Sequence, residues 1–354
     1  MVEATQVVVT VTGITGFVGS TVAIELLKQR PDWKVRGTVR SLTNGAKINP
    51  LRKALGEDFE KVELVEANLT DLESMKRAIA GSTYVIHVAS PVPLKEPKDP
   101  MDLIRPAVEG TTNVLTACKE SGVRRVSITS SGAAITGASP DDAEKIFTER
   151  DWPNPEHQHG FYEKSKTMAE RAAWDFVNAM PEAERIELTT VCPGMILGPT
   201  TVNEGFFSGD VMKLFMNGAI PGGIPRIQFG VVDVREIATA HIRCIERDEA
   251  QGKRFMLTGE SLWLIKIGEI ISERYSPMGF PVQTKESNYW LVKFFALFKK
   301  EAATIVKYWG RNIKLDNSRS KEVLGIEYRP VKDSLYDMID SLIKAGHFNS
   351  RPKL

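Results

Sequence analysis

Through the first half of the chain, short β-branched runs alternate with helical stretches. The runs QVVVTVT, KVRGTVR, KVELVEA, TYVIHVA and RRVSITSS are separated by helical segments near Phe17 to Gln29, Ala46 to Leu55, Leu72 to Ala80 and about Met101 to Ser121, the last ending at Gly122. Strands separated by helices predict βαβ units and a parallel sheet. After Gly160 a further helix carries YEKSKTMAERAAWDFVNAM, and IELTTVCPG is the next strand. The sheet is then about six parallel strands deep.

From Pro193 onward the pattern loosens, with Pro and Gly clusters at GPTT and PGGIP, short helices and an apolar final helix around Leu335 to Ile343. The expected fold class is α/β: a Rossmann-type doubly wound parallel sheet over residues 1–192, with a smaller C-terminal substrate-binding lobe over 193–354. Some segments of the second part are expected to return to the first. No low-complexity linker or repeat divides the two, so they share one fold unit.

Composition narrows the function classes. The 354 residues are 42% hydrophobic and 26% charged, enough for a large core. Lys plus Arg number 46 against 45 acidic residues, so no global field draws the protein to nucleic acid or an anionic membrane, and neither is expected as a partner. Cys118, Cys192 and Cys244 are odd in number and show no metal-ligand spacing, which predicts apolar fillers in a reducing cytosol and no metal. The N-terminus reads as a first strand rather than a secretion signal, and the expected localisation is cytoplasmic. No apolar stretch reaches the roughly 20 residues of a membrane helix. The nearest, Trp290 to Trp309, is broken by five charged residues and reads as an amphipathic helix packed on the protein in preference to a membrane-surface contact.

The first strand runs into TGITGFVGS, which sets Gly13, Gly16 and Gly19 at a strand-to-helix turn, with Thr15, Phe17 and Val18 between them. Glycines there permit a tight bend and close approach of the backbone to a pyrophosphate, which meets the free N–H groups and positive dipole of the helix N-terminus. The position at the first βα junction makes this a dinucleotide site. An NAD site ends its second strand with an acidic residue; here no carboxylate appears between Asp32 and Glu57, while Arg36, Arg40 and Lys47 do. Alternation puts Arg36, Thr38 and Arg40 on one face, and Arg40 at the tip is best placed for a 2′-phosphate, with Ser41 and Thr43 as further hydroxyl donors. The expected cofactor is NADP(H).

FYEKSKTMAE sets Tyr162 and Lys166 four apart on one helix face. A phenol with a pKa of about 10 is a poor acid or base at neutral pH, and a fixed ammonium favours its phenolate. Lys166 is also placed to hydrogen-bond the nicotinamide ribose. Reduction of a carbonyl develops charge on oxygen, so a hydroxyl donor is expected beside the tyrosine; SITSSGAA offers Ser131, or failing that Ser130.

On these motifs the chain resembles the extended short-chain dehydrogenase/reductase family, and within it the dihydroflavonol reductase and cinnamoyl-CoA reductase group. The resemblance runs from about Val7 to Gly346 and includes TGITGFVGS, IHVASP, VEGTTNVL, TSSGAA, YEKSK, PGMILGP and VVDVREIATAHI. It implies that Ser131, Tyr162 and Lys166 form the catalytic set. It further implies that Asn68 and Leu69 lie near adenine, that Val88, Ala89 and Ser90 lie near the ribose and phosphates, and that Pro193, Gly194, Met195 and Ile196 lie beside nicotinamide. Asn68 stands where the family usually has Asp, and SGAA departs from the commoner pattern after the strand. Asn113 is open to two roles, a proton relay or a helix-to-sheet hydrogen bond.

The expected reaction is reversible reduction of a hydrophobic or aromatic aldehyde or ketone by NADPH, in a monomer or homodimer whose partner is the small-molecule carbonyl or alcohol. Pro91, Val92, Ile135, Met195, Ile196, Phe206, Phe207, Met212, Phe215 and Met216 are the apolar residues expected near the pocket, with core between the lobes as the alternative for half of them. His157 and His159 lie on the approach to Tyr162, as rim contacts or in solvent. Two alternatives are a nucleotide-sugar epimerase or dehydratase and a non-catalytic NADP(H)-binding regulator. The first lacks residues it needs, having Ile227 where a diphosphate arginine is expected and Gly132, Ala133 and Ala134 after Ser131. The second is opposed by the intact Ser131, Tyr162 and Lys166 set.

Overall fold

A computed structural model describes residues 6–90, 99–137, 145–156, 160–202, 205–220 and 222–348. Pro91, Val92, His157 and His159 lie outside the described residues.

Strands β1 (Val8–Thr12), β2 (Lys34–Val39), β3 (Val62–Glu66), β4 (Tyr84–His87) and β5 (Arg125–Thr129) alternate with helices α1 (Phe17–Gln29), α2 (Gly45–Leu55), α3 (Leu72–Ile79) and α4 (Met101–Glu120). There follow α5 (Ala133–Thr136), β6 (Ile146–Phe147), α6 (Phe161–Asn178), β7 (Glu187–Pro193), β8 (Met195–Leu197), α7 (Phe207–Met216), β9 (Gln228–Asp233) and α8 (Val234–Glu246). The chain ends with β10 (Arg254–Leu257), β11 (Glu260–Trp263), α9 (Leu264–Tyr275), α10 (Tyr289–Phe295), α11 (Lys300–Tyr308), β12 (Lys314–Leu315), α12 (Ser318–Glu322) and α13 (Val331–Lys344).

The main sheet is parallel and has the order β10-β7-β5-β4-β1-β2-β3. It holds seven strands rather than about six, because β10 returns from the second half and pairs with β7. Its run, RFML, is only four residues long, too short to stand out by pattern. Strand order reverses between β1 and β4, and in an open parallel sheet the crevice at the carboxyl ends of such strands is where a ligand fits. Helices cover both faces, so the central strands are buried on both sides and read as near-continuous Val and Ile runs. One apolar cluster joins Val9, Ile14 and Leu26 to Ile237 and Leu335; a second, on the other face, joins Met75, Leu115 and Leu188.

Residues 193 onward also build a three-stranded sheet, β11-β9-β8, which leans on α13. The turn from β9 into α8 is held by Asp233, whose carboxylate accepts from Arg235 N at 2.8 Å and from the Arg235 guanidinium at 2.8 and 2.7 Å, in a capping box completed by Glu236. Burial works to raise the Asp233 pKa, but bonds from Arg235 and Ser334 outweigh it and hold the carboxyl below its usual range. The three cysteines are buried and unpaired; burial pushes each thiol up, Cys244 to about 12. Among the described residues no helix is long and apolar enough to cross a membrane, and no cluster of metal-ligating side chains occurs.

Asp233→Ala removes a helix cap and leaves Arg235 without its buried partner, so it is expected to lower stability by about 2 kcal/mol in urea unfolding at neutral pH. A carboxyl whose pKa is depressed on folding contributes stability above its unfolded pKa and loses it as pH falls through the folded value. The difference between wild type and variant therefore shrinks on acidification below the carboxylate range.

Candidate active site

The glycine loop is built by local sterics. Gly13 has φ +69°, a conformation that disfavours any Cβ, and donates its N–H to Thr38 Oγ1 at 3.1 Å. A Cβ at Gly19 would fall 2.3 Å from Gly13 O, so packing alone demands glycine there. Gly16 is different: it is exposed, and its nearest obstacle is Gly13 O at 3.3 Å. It forms the N-cap of α1, and no side chain caps that helix. The first-turn N–H groups thus face the crevice with the positive end of a 13-residue helix behind them, which fits a pyrophosphate. Thr15 is half-buried in the loop, while Phe17 and Val18 turn into the core.

Of the three residues expected on one face of β2, only Arg40 is exposed and without a carboxylate partner among the described residues. Arg36 donates to the carbonyls of Ala78 and Ala80 and pairs with Glu63 at 3.2 Å, so it ties β2 to β3 and α3. Thr38 is spent on Gly13. Ser41 and Thr43 bond each other at 2.9 Å. Asn68 is exposed, with Oδ1 accepting from Thr70, and Leu69 O accepts from Asn113 Nδ2 at 2.8 Å. That bond ties α4 to the turn between β3 and α3.

At the end of β4, Thr12 Oγ1 accepts from Val88 N and Ala89 N, both at 3.1 Å, and meets His87 Nδ1 at 2.8 Å. Thr12 is a site residue that the glycine spacing did not reveal. It holds Val88, Ala89 and Ser90 against the loop, where Ala89 Cβ lies within 3.0 Å of a Cβ placed on Gly13.

Tyr162 and Lys166 occupy the first two turns of α6. Ser131, just beyond the end of β5, lies close enough to the Tyr162 phenol to draw its pKa down. Ser130 donates instead to Glu170 Oε2 at 2.5 Å, which removes it as the alternative donor. Lys166 Nζ lies 5.9 Å from the Tyr162 ring centre and donates to Ser90 Oγ at 3.1 Å. Gly132 N donates to Pro193 O at 2.8 Å, which sets Pro193 and Ile196 beside the same strand end. Gly194 fits only as glycine, since a Cβ would lie 2.1 Å from Gly230 O.

Electrostatics here run against one expectation. Although 44% of Tyr162 is exposed, burial is the largest influence on its phenol and raises the pKa, with Glu163 adding to the effect and Ser131 opposing it. Lys166 is not among the groups that shift the phenol, and its ammonium donates to Ser90. Burial lowers Lys166 to about 8, against an opposing pull from Glu170. His87 and His241 are driven down to about 3, first by burial, and are neutral.

Behind the pair sits a polar hub that sequence reading missed. Glu170 accepts from Arg254 Nε and Thr190 Oγ1, both at 2.7 Å, and from Ser130, and is almost wholly buried. Arg254 also donates to the carbonyls of Glu149, Asp151 and Ala134 and stacks 3.6 Å from the Trp152 ring centre. Glu170 follows Lys166 by four residues, as Lys166 follows Tyr162, so the helical period signals it.

The expected apolar walls divide. Ile135, Met195, Met212, Phe215 and Met216 are buried in apolar clusters. Phe206 is half-buried against Phe17 at 4.6 Å, and Phe207 is 64% exposed, 6.3 Å from Phe229.

A glycine-loop crevice at the strand-order reversal, with a Ser–Tyr–Lys set at its edge, defines a dinucleotide-dependent class of enzyme. The chain belongs to the NAD dependent epimerase/dehydratase family, the extended short-chain dehydrogenases/reductases, whose model matches residues 9–257. Its relatives fall in the dihydroflavonol reductase and cinnamoyl-CoA reductase group. Cinnamoyl-CoA reductase 1 of Petunia hybrida is 33% identical over 346 residues, covering 96% of this chain and 93% of the relative. Tetraketide alpha-pyrone reductase 1 of Arabidopsis thaliana is 30% identical over 358 residues, with 97% of each chain covered. Among solved structures, yeast methylglyoxal/isovaleraldehyde reductase Gre2 complexed with NADPH superposes with a TM-score of 0.78 at 25% identity, covering 96% of this chain and 100% of that one.

Breaking a buried ion pair leaves an uncompensated charge. Glu170→Gln or Arg254→Met alone is therefore expected to cost about 3–5 kcal/mol in urea unfolding, and the double variant clearly less than the sum. Additive losses would mean the two do not act as a pair.

Proposed function

We propose that the protein is an NADPH-dependent oxidoreductase that reduces a hydrophobic or aromatic aldehyde or ketone to the alcohol. The observation that carries this reading is Tyr162 with Lys166 one turn on along α6 and Ser131 beside the phenol, next to a loop fit for a dinucleotide. Support also comes from the relatives, which are named as reductases, and from the NADPH bound to the yeast neighbour.

In this reading Gly13, Gly16 and Gly19, with the α1 N–H groups, hold the pyrophosphate. Arg40 takes the 2′-phosphate, Asn68 and Leu69 border adenine, and Val88, Ala89 and Ser90 border the ribose and phosphates. Pro193, Gly194 and Ile196 back the nicotinamide. When bound, NADPH supplies the hydride for the carbonyl carbon. Ser131 donates a hydrogen bond to the carbonyl oxygen, and Tyr162 hands that oxygen its proton as the alkoxide forms. A phenol whose pKa is raised is fully protonated at neutral pH and thus ready as the acid. Lys166 turns its ammonium to the ribose, an exchange of partner from Ser90. Phe206 and Phe207 supply an apolar rim for the substrate, in the lobe from 193 onward.

Tyr162→Phe is expected to cut turnover of aromatic aldehydes by about 10²–10⁴-fold while NADPH still binds. Full activity in that variant overturns the mechanism. Arg40→Ala should weaken NADPH binding and spare NADH; equal use of both cofactors by the wild type would remove the role given to Arg40. The ammonium of Lys166 is present below a pKa of about 8 and lost above it. NADPH affinity, followed by fluorescence titration, should fall as pH passes that value and stay flat in Lys166→Arg.

A further inference from the structure

The stretch from Asn288 to Lys299 takes no part in the proposed reaction, and it does not lie on the protein as the amphipathic reading expects. In place of one helix over Trp290 to Trp309 there are two, α10 and α11, and no residue of α10 is buried. Trp290, Leu291, Phe294, Phe295, Leu297 and Phe298 are between 42% and 74% exposed. Single exposed apolar residues are ordinary, but six large ones within nine positions form a continuous face that marks a contact.

The segment is nonetheless fixed in place. Asn288 caps α10 through Oδ1, accepting from Trp290 N at 2.9 Å and Leu291 N at 3.2 Å. Tyr289 packs on Trp309 with ring centres 5.4 Å apart, and Tyr308 OH donates to Glu163 Oε1 at 2.9 Å, which fastens α11 to the first turn of α6. Beyond this base the rings meet one another: Phe294 lies 5.8 Å from Phe295 and 5.6 Å from Phe298.

Charge selects among occupants. Between Glu286 and Glu301 the chain has no carboxylate, whereas Lys293 and Lys299 are exposed. Their ammonium groups stand 5.2 Å from the Trp290 ring centre and 5.6 Å from that of Phe295. Lysine stems laid along aromatic rings with the charge held outward suit a boundary between apolar and anionic phases. A second copy meeting this face across a two-fold axis would bring the same lysines together with no acid between them, and lysine is depleted from protein–protein interface cores.

We propose that α10 and the turn through Lys299 form a docking face for a membrane surface rich in anionic headgroups, the aromatic rings entering the headgroup–acyl boundary and the two lysines lying at phosphate level. The expectation of no membrane partner rested on global charge balance and the lack of a spanning helix, and neither bears on a local surface contact. The inference is independent of the reaction.

The test is co-sedimentation of the full chain with sucrose-loaded vesicles of phosphatidylcholine alone or mixed with phosphatidylserine. Wild type should pellet with the mixed vesicles and release as salt rises. Lys293→Glu/Lys299→Glu should lower that partition by about tenfold or more, at roughly fivefold per lysine removed. Trp290→Ser/Phe294→Ser/Phe298→Ser should abolish it, with circular dichroism unchanged in both variants. Failure of the wild type to bind mixed vesicles overturns the proposal. So does a wild-type dimer in light scattering that the apolar variant converts to monomer, since the face would then belong to a second copy.

Discussion

Burying a carboxylate at the middle of an α/β sandwich is costly unless its lone pairs are all met, and Glu170 meets that demand with partners from several elements. Arg254 comes from β10, Thr190 from β7 and Ser130 from the residue after β5, while Glu170 itself belongs to α6. The pair therefore fixes the rotational phase of α6 relative to three strand ends. Once that phase is set, Tyr162 and Lys166, eight and four residues earlier, can only present themselves along the same stripe. Ser130, held by Glu170, in turn fixes the adjacent Ser131 at the phenol. A helix free to turn by one residue would move Tyr162 away from Ser131.

Features set by local sterics or by helical period were legible in sequence. The glycine loop, its first helix and the Tyr162/Lys166 spacing depend on residues close in the chain. What escaped depends on residues far apart. β10 is strand only because β7 lies beside it. Arg36 and Arg40 share a face by alternation, yet Glu63 and two carbonyls of the α3 end capture the first and leave the second free. Met212 and Phe215 carry the polarity of a pocket wall and also that of a core, and only packing against Ile224 and Ile267 tells which. The Trp290 to Trp309 stretch misled for a related reason: amphipathic spacing says that one face is apolar, and says nothing about whether the protein covers it.

Family membership alone does not decide the reaction, since one fold carries epimerases, dehydratases and reductases. The discriminating residues are local. Ile227 cannot bind a diphosphate, and its backbone carbonyl is taken by Leu264 N at 2.9 Å. Gly132 and Ala133 begin α5 directly after Ser131, so the positions next to the serine carry no acid–base side chain.

Desolvation explains why this set favours proton donation. The same burial that lowers Lys166 to about 8 and leaves His87 neutral also raises the Tyr162 phenol. An ammonium turned toward the phenol would oppose burial and favour the phenolate. With the ammonium on Ser90, burial holds the phenol protonated against a downward pull from Ser131. As negative charge grows on a carbonyl oxygen beside Ser131 and Tyr162, the serine hydroxyl can turn to that oxyanion, and the drive for proton transfer then comes from the rising basicity of the alkoxide and not from a more acidic phenol.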